Sequence, residues 1–239
     1  MIPDLTARHR EPEWMDDPAA DPAELDRALR FIRRVNKWFG YTRATLGHLD
    51  AFARRWRAGE RVTVLDVGTG SADVPLAALD WARRRGHDVR VVGVDLHART
   101  CEHARQIVAA VGRTAAEVPV LQGDALRLPF PDGAFDYAMT NMFLHHLSEA
   151  EGAAVLREMD RVSRRGIIVA DLLRSRRAYF WISVFTATAG PMVRHDARVS
   201  VRQAYSRAEA EGLRDAAGLK YLAFHRHFGH RFVLAGEKG

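Results

Sequence analysis

Apolar side chains recur along this chain in two rhythms, and the switches between them mark out its elements. Residues 22–57 place Leu25, Leu29, Ile32, Val35 and Phe39, then Leu46, Leu49, Phe52 and Trp56, at helical spacing. That spacing predicts two helices broken at Gly40. Asp21 followed by Pro22 gives the first helix an N-cap and an opening residue. From residue 62 the rhythm changes. Short apolar and β-branched runs at 62–67, 89–96, 118–125, 135–141 and 166–171 read as buried strands of a parallel sheet. Residues 74–79 look like the start of a helix after the first of them. Residues 178–185 are strongly apolar, and Gly190-Pro191 ends any helix they form. Ser206 and Glu209 have capping-box spacing; the helix they open ends at Gly218. Strand-like runs at 219–226 and 230–235 close the chain.

The first strand runs directly into Gly68-Thr69-Gly70, a turn that lets the backbone approach a ligand that a Cβ would push away. The amides of the following helix face the same spot. A dinucleotide fingerprint would place a third glycine at position 73, but Asp73 stands there. A carboxylate at a helix N-terminus repels a pyrophosphate, so the loop suits a cofactor without phosphates. Asp66, just before the turn, is placed to pair with a cationic amino group. Asp95 ends the second strand at the distance where a carboxylate accepts from ribose hydroxyls. Asp124 ends the third, placed to accept from an adenine amino group. Each acid alone has an equally good reading as a helix cap; three closing successive strands point together to S-adenosylmethionine.

At this point the chain resembles the class I S-adenosylmethionine-dependent methyltransferases, nearest the small-molecule branch with quinone, polyketide and sugar O- or C-methyltransferases. The resemblance is carried by Leu65-Asp66-Val67-Gly68-Thr69-Gly70, Gly93-Val94-Asp95, Gln122-Gly123-Asp124-Ala125, the run from Leu128 to Asp136, Leu144-His145-His146-Leu147 and the run from Leu156 to Val162. These pieces come in family order over residues 61–172. Ala72 replaces a frequent glycine, and Ser163-Arg164-Arg165-Gly166 replaces the usual surface turn before the fifth strand. The resemblance implies an α/β Rossmann-like, doubly wound sheet of seven strands, mostly parallel with the last antiparallel. It implies one domain, 1–239, divided into an N-terminal helical cap (1–60), a cofactor-binding core (61–171), a lid insertion (172–204) and a C-terminal helix with strands (205–239). S-adenosylmethionine would be held by Asp66, Gly68, Thr69, Gly70, Asp73, Asp95, Leu96, Gly123, Asp124, Ala125 and Asn141.

Methyl transfer needs acceptor and methyl aligned, an effect that can reach roughly 7–11 kcal/mol, and a base if the acceptor is a hydroxyl. His145 and His146 follow the fourth strand and Asp171 closes the fifth, at the sheet edge where α/β enzymes bind ligands. In similar O-methyltransferases the first His of this pair works with this Asp as the base. That assigns His145 and Asp171 the catalytic role; in many relatives the pair only caps and packs. His146, Phe180, Trp181, His195, Arg202 and Tyr205 are the expected acceptor contacts. Trp14, Trp38 and Tyr41 are further aromatics from the cap, with core packing as the plainer reading. An aromatic lid fits an apolar or phenolic acceptor. The expected reaction is O-methylation; C-methylation of a quinone precursor and RNA methylation are the alternatives.

Composition narrows this little. One cysteine, Cys101, excludes a disulfide framework and a cysteine-rich zinc site, and no metal is expected. No apolar run spans a membrane, and the first residues lack a signal-peptide pattern, so a cytoplasmic monomer or homodimer is expected. The net charge is +6, with only three lysines among 36 basic residues. Arginine pairs such as Arg83-Arg84 and Arg164-Arg165 suit solvated helix ends. A nucleic-acid partner, which would need them gathered on one face, is not expected.

Overall fold

Strands β1 (Arg61–Val67), β2 (Asp88–Asp95), β3 (Val120–Gln122), β4 (Phe135–Asn141), β5 (Ser163–Leu172), β6 (Ala223–His227) and β7 (Arg231–Glu237) form one sheet, ordered β3-β2-β1-β4-β5-β7-β6. The computed structural model describes residues 3–17 and 19–239, with the side chains of residues 32, 34–39 and 41 left outside the described set. The expected core positions Ile32, Val35 and Phe39, and the aromatics Trp38 and Tyr41, fall among these. β1 pairs in parallel with β2 and β4, β2 with β3, and β4 with β5. β7 runs antiparallel between β5 and β6, as expected for the last strand. The strand order reverses between β1 and β4, which opens a crevice beyond their carboxyl ends.

Both faces of the sheet are covered, so the strands read as nearly continuous apolar runs. On one face Val62 and Val64 pack against α2 (Tyr41–Ala53) and α3 (Asp73–Arg85) through Leu49, Phe52, Ala78 and Trp81. On the other, Leu65 and Val67 pack with α5 (Glu149–Val162) and α8 (Arg207–Ala216) through Leu156, Met159 and Leu213. Each fully buried aliphatic side chain contributes about 1.5–3 kcal/mol relative to exposure. α4 (Ala98–Ala110) closes the β3 edge with Cys101, Ala104 and Val108. α1 (Pro22–Phe39) and α2 break at Gly40 as predicted, with Asp21 Oδ1 accepting from the Glu24 amide at 2.8 Å.

Three boundaries differ from the sequence reading, one being the run at 219–226, where β6 begins only at Ala223. Residues 163–165 are no surface turn: α5 runs straight into β5, and Arg164 and Arg165 both ion-pair with buried Asp136. Gly166 is needed there, because a Cβ would lie 2.2 Å from the Gly236 carbonyl on β7. The third strand shrinks to three residues, and Gly123 and Asp124 belong to the loop beyond it. The insertion after β5 forms α6 (Arg176–Phe185) and α7 (Pro191–Gln203). Gly190-Pro191 both ends one and starts the other, with Pro191 at the first helical position.

Candidate active site

The glycine loop is fixed by its neighbours. Gly68 and Thr69 donate their amides to the Val94 carbonyl at 2.9 and 3.0 Å. Gly70 donates to Asp95 Oδ2 at 3.0 Å, and the His97 amide reaches Asp95 Oδ1 at 3.2 Å. Gly68 lies at φ +68°, where a Cβ would meet the Phe143 ring at 2.7 Å. Ala72 adopts left-handed φ, ψ of 56° and 27° at the start of α3, which costs an L residue roughly 1–2 kcal/mol. Asp66 is buried; its Oδ2 accepts from the Thr69 hydroxyl at 2.8 Å, while Oδ1 has no partner. Burial pushes its carboxyl up to about 7 against the pull of that hydroxyl bond. Burial also raises Asp95.

These groups open onto a cavity of about 860 Å³. All eleven residues expected at the cofactor, Asp66, Gly68, Thr69, Gly70, Asp73, Asp95, Leu96, Gly123, Asp124, Ala125 and Asn141, line its wall. Asp73 also pairs with Arg33 of α1 at 3.0 Å, and Asp124 Oδ1 accepts from the Leu126 amide. The donor set fits S-adenosylmethionine: Asp66 Oδ1 is a buried acceptor without a proton donor, as an ammonium requires. Carboxylates at 66, 73 and 95 disfavour a pyrophosphate.

His145 sits across the same cavity, in a 3-10 turn (Leu144–His146) after β4. Its Nδ1 lies 2.7 Å from Asp171 Oδ1, and its amide donates to Asp171 Oδ2 at 3.0 Å. Burial alone would raise Asp171, but His145 and the Leu172 amide outweigh it and hold the carboxyl below its usual range. An ionised carboxylate only accepts, so Nδ1 carries a proton and Nε2 is the ring atom turned away from Asp171. Nε2 lies 3.7 Å from Glu13 Oε1, and both side chains are about 2% exposed. Ser200 of α7 donates to that same Glu13 oxygen at 2.6 Å, and burial raises the Glu13 carboxyl.

His146 is a different group. Its Nδ1 is 2.9 Å from Asp16. Although burial opposes charge, Glu13, Asp16 and Asp171 lift its pKa to about 9. It is therefore a cation at neutral pH and not a proton acceptor. Donor atoms of Glu13, His145 and His146 lie within 4.8 Å of one another, a set with the chemistry of a divalent-metal site.

Four of the six expected acceptor contacts are not brought to the cavity; only His146 and Trp181 line it. His195 stacks on Trp14 at 4.1 Å and bonds Asp196 and Glu11. Arg202 is held by Glu11 at 2.7 Å. Tyr205 is wholly buried, its hydroxyl donating to the Leu144 carbonyl under the Arg8 guanidinium. Phe180 points to solvent from the outer side of α6. Trp14, taken up by His195, is likewise off the cavity wall.

Sequence reading missed the segment that replaces them. Residues 8–16 lie along α7 and the His-His turn. Arg8 bonds the carbonyls of His145, Leu147 and Gln203, and Asp196 accepts from the amides of Trp14 and Met15. This delivers Glu13 and Asp16 to the two histidines. The one available signal was the density of acids at 11, 13, 16 and 17 ahead of the first helix.

Residues 64–166 match the family model of a methyltransferase domain. Over 133 residues the chain is 36% identical to a demethylmenaquinone methyltransferase of Beutenbergia cavernae, covering 55% of this chain and 46% of that protein. Over 147 residues it is 31% identical to the demethylmenaquinone methyltransferase of Geobacillus stearothermophilus, covering 62% and 59%. The chain thus spans about half the length of the curated relatives it matches. Its fold superposes on a SAM-dependent methyltransferase from Aquifex aeolicus with a TM-score of 0.60 at 20% identity, covering 91% of this chain and 98% of that one. Residues 64–166 thus match a methyltransferase domain, and the chain shares the fold of a solved SAM-dependent methyltransferase.

Proposed function

We propose that this protein transfers the methyl group of S-adenosylmethionine to the oxygen of a small apolar phenol or quinol, with His145, oriented by Asp171, taking the hydroxyl proton. The observation that carries this reading is the buried 2.7 Å contact by which Asp171 holds His145, itself on the wall of the cavity that the glycine loop also lines. When bound, S-adenosylmethionine supplies an electrophilic methyl on its sulfonium, so the protein need not activate the donor. Asp66 receives the ammonium, Asp95 the ribose hydroxyls, and Asp124 the adenine amino group. Thr69, Leu96, Ala125 and Asn141 shape the wall around them.

On the acceptor side Asp171 fixes the tautomer, and the phenolic proton moves to His145 Nε2. A phenol with a pKa near 10 is almost fully protonated at neutral pH, and such a base contributes about 10²–10⁴-fold. His146 already holds its proton and supplies positive charge beside the phenolate. Trp181, Met142 and Leu172 give the acceptor an apolar wall.

The relatives named demethylmenaquinone methyltransferase favour a second reading, methylation at carbon. Loss of the same hydroxyl proton also makes the ring carbon of a hydroquinone nucleophilic, so His145 would serve both outcomes. Incubation with ¹³C-methyl S-adenosylmethionine and 1-naphthol or 1,4-dihydroxynaphthalene, read by NMR, separates them. A methyl ether is expected; a ring methyl establishes the carbon reading, and cofactor binding without label transfer to either probe contradicts both. Activity is expected to survive dialysis against a chelator, because a metal on Glu13, His145 and His146 would occupy the Nε2 lone pair that the base needs.

A further inference from the structure

Phe180, Trp181, Val184 and Phe185 of α6 are each about half exposed. At i, i+1, i+4 and i+5 they share one side of the helix. Trp181 touches both Phe180 and Phe185, with ring centroids at 5.3 and 5.8 Å. The inner side of α6, with Ala178, Tyr179 and Ile182, packs on Leu172, Met142 and Val201. Phe228, in the turn between β6 and β7, is 92% exposed, more than any other large apolar side chain among the described residues. Trp181, Phe185 and Phe228 line the cavity as well. Two separate segments therefore give the cavity mouth an aromatic rim, the kind of exposed patch that marks a contact surface.

Charge identifies what the rim meets. No Asp or Glu occurs between Asp171 and Asp196 or between Asp215 and Glu237, the segments that contain α6 and the β6–β7 hairpin. Arg176 and Arg177 are exposed one turn before Phe180 and Trp181, and Arg226 is exposed two residues before Phe228. None of the three has a carboxylate partner among the described residues. Arg177 and Arg226 flank one point. His230 lines the cavity and bonds the Ser175 hydroxyl at the N-cap of α6 at 3.0 Å. Burial, then the charges of Arg226 and Arg177, hold its imidazole below the ordinary value. Both guanidiniums thus lie by the start of the aromatic helix.

We propose that the cavity mouth docks on an anionic lipid surface. The aromatic side of α6 and Phe228 enter the interface, and Arg176, Arg177 and Arg226 lie against the phosphate headgroups. Aromatic rings favour that depth, and cationic side chains flanking an apolar face strengthen binding to anionic lipid. A second copy of this chain fits the same face poorly, since two-fold pairing would bring arginines onto arginines. Docking would let a lipophilic acceptor enter the cavity from the bilayer. That consequence for the acceptor rests on the function proposed above; the docking itself does not.

Flotation of the full chain with large unilamellar vesicles tests this, comparing phosphatidylcholine alone with mixtures containing phosphatidylglycerol. The chain should float with the phosphatidylglycerol vesicles, less so as salt rises, and stay below with phosphatidylcholine. Arg176→Gln with Arg177→Gln should lower partitioning roughly 30-fold. Phe180→Asp with Val184→Asp should abolish flotation; neither residue lines the cavity, so unchanged S-adenosylmethionine affinity by calorimetry confirms an intact fold. The proposal is overturned if wild type does not float with anionic vesicles, or if both variants float as wild type does. A dimer by light scattering that Phe180→Asp with Val184→Asp splits would also overturn it, assigning the face to a second copy. Flotation is read without turnover, so it stands or falls apart from the methyl-transfer reading.

Discussion

The cavity wall proposed for the cofactor takes its residues from strand ends and loops that each lie within a few consecutive positions. The side proposed for the acceptor gathers Glu13, His145, Asp171 and Ser200 from four distant segments. On the first side the backbone itself makes the site: Gly68, Thr69 and Gly70 are hydrogen-bonded to β2, and Asp95 is tied to two amides. On the second, side chains hold side chains, as in the series of buried Asp171, His145 and Glu13 with half-buried Ser200. A site of the first kind is set by any chain that folds the sheet. One of the second kind depends on an N-terminal segment and a helical insertion finding each other.

This contrast predicts separable failures. The largest belongs to the acceptor side: Asp171→Asn should cut kcat about 100-fold, because the imidazole loses the carboxylate that fixes its tautomer. S-adenosylmethionine affinity should barely change; steady-state kinetics with calorimetry check both. On the cofactor side, Asp66→Asn should weaken S-adenosylmethionine binding about tenfold or more, the value of one charge-assisted hydrogen bond. Wild-type affinity should also fall as pH drops through about 7, because the Asp66 carboxyl takes up a proton there and loses its charge. The Asn variant should show no such slope.

A finer test concerns His146. Its pKa of about 9 depends partly on Asp16, so Asp16→Asn should bring it down toward the ordinary imidazole value in an NMR titration. The smallest effect is on stability. Ala72→Gly relieves a left-handed alanine but loosens the unfolded chain, a net gain of up to about 1 kcal/mol by denaturant unfolding.

The same contrast explains what the sequence made legible. β-branched runs ending in Asp66, Asp95 and Asp124 announce strand, turn and acid within a few residues, so their gathering on one cavity wall could be read directly. The closeness of His145 and Asp171 was legible because one follows β4, the other lies at the end of β5, and β4 lies beside β5. Glu13 and Asp16 were not, because they sit in a 3-10 turn (Trp14–Asp16) and its flank, with no periodicity to place them. His195, Arg202 and Tyr205 were misplaced for a related reason. α7 turns its cavity side through Val193, Asp196, Ala197 and Ser200, and the N-terminal segment takes up His195 and Arg202. The strand limits at 163–165 were hidden because arginines there looked solvated, whereas Asp136 draws them onto the sheet edge.

The central claim, that one cavity holds a cofactor wall and an independent base, is tested most directly on His145→Ala. Calorimetric titration with S-adenosylmethionine and single-turnover transfer to 1-naphthol would be measured on the same preparation. The account predicts affinity within about twofold of wild type and transfer slowed about 100-fold or more. Transfer at near wild-type rate, or affinity and transfer lost together, would contradict it.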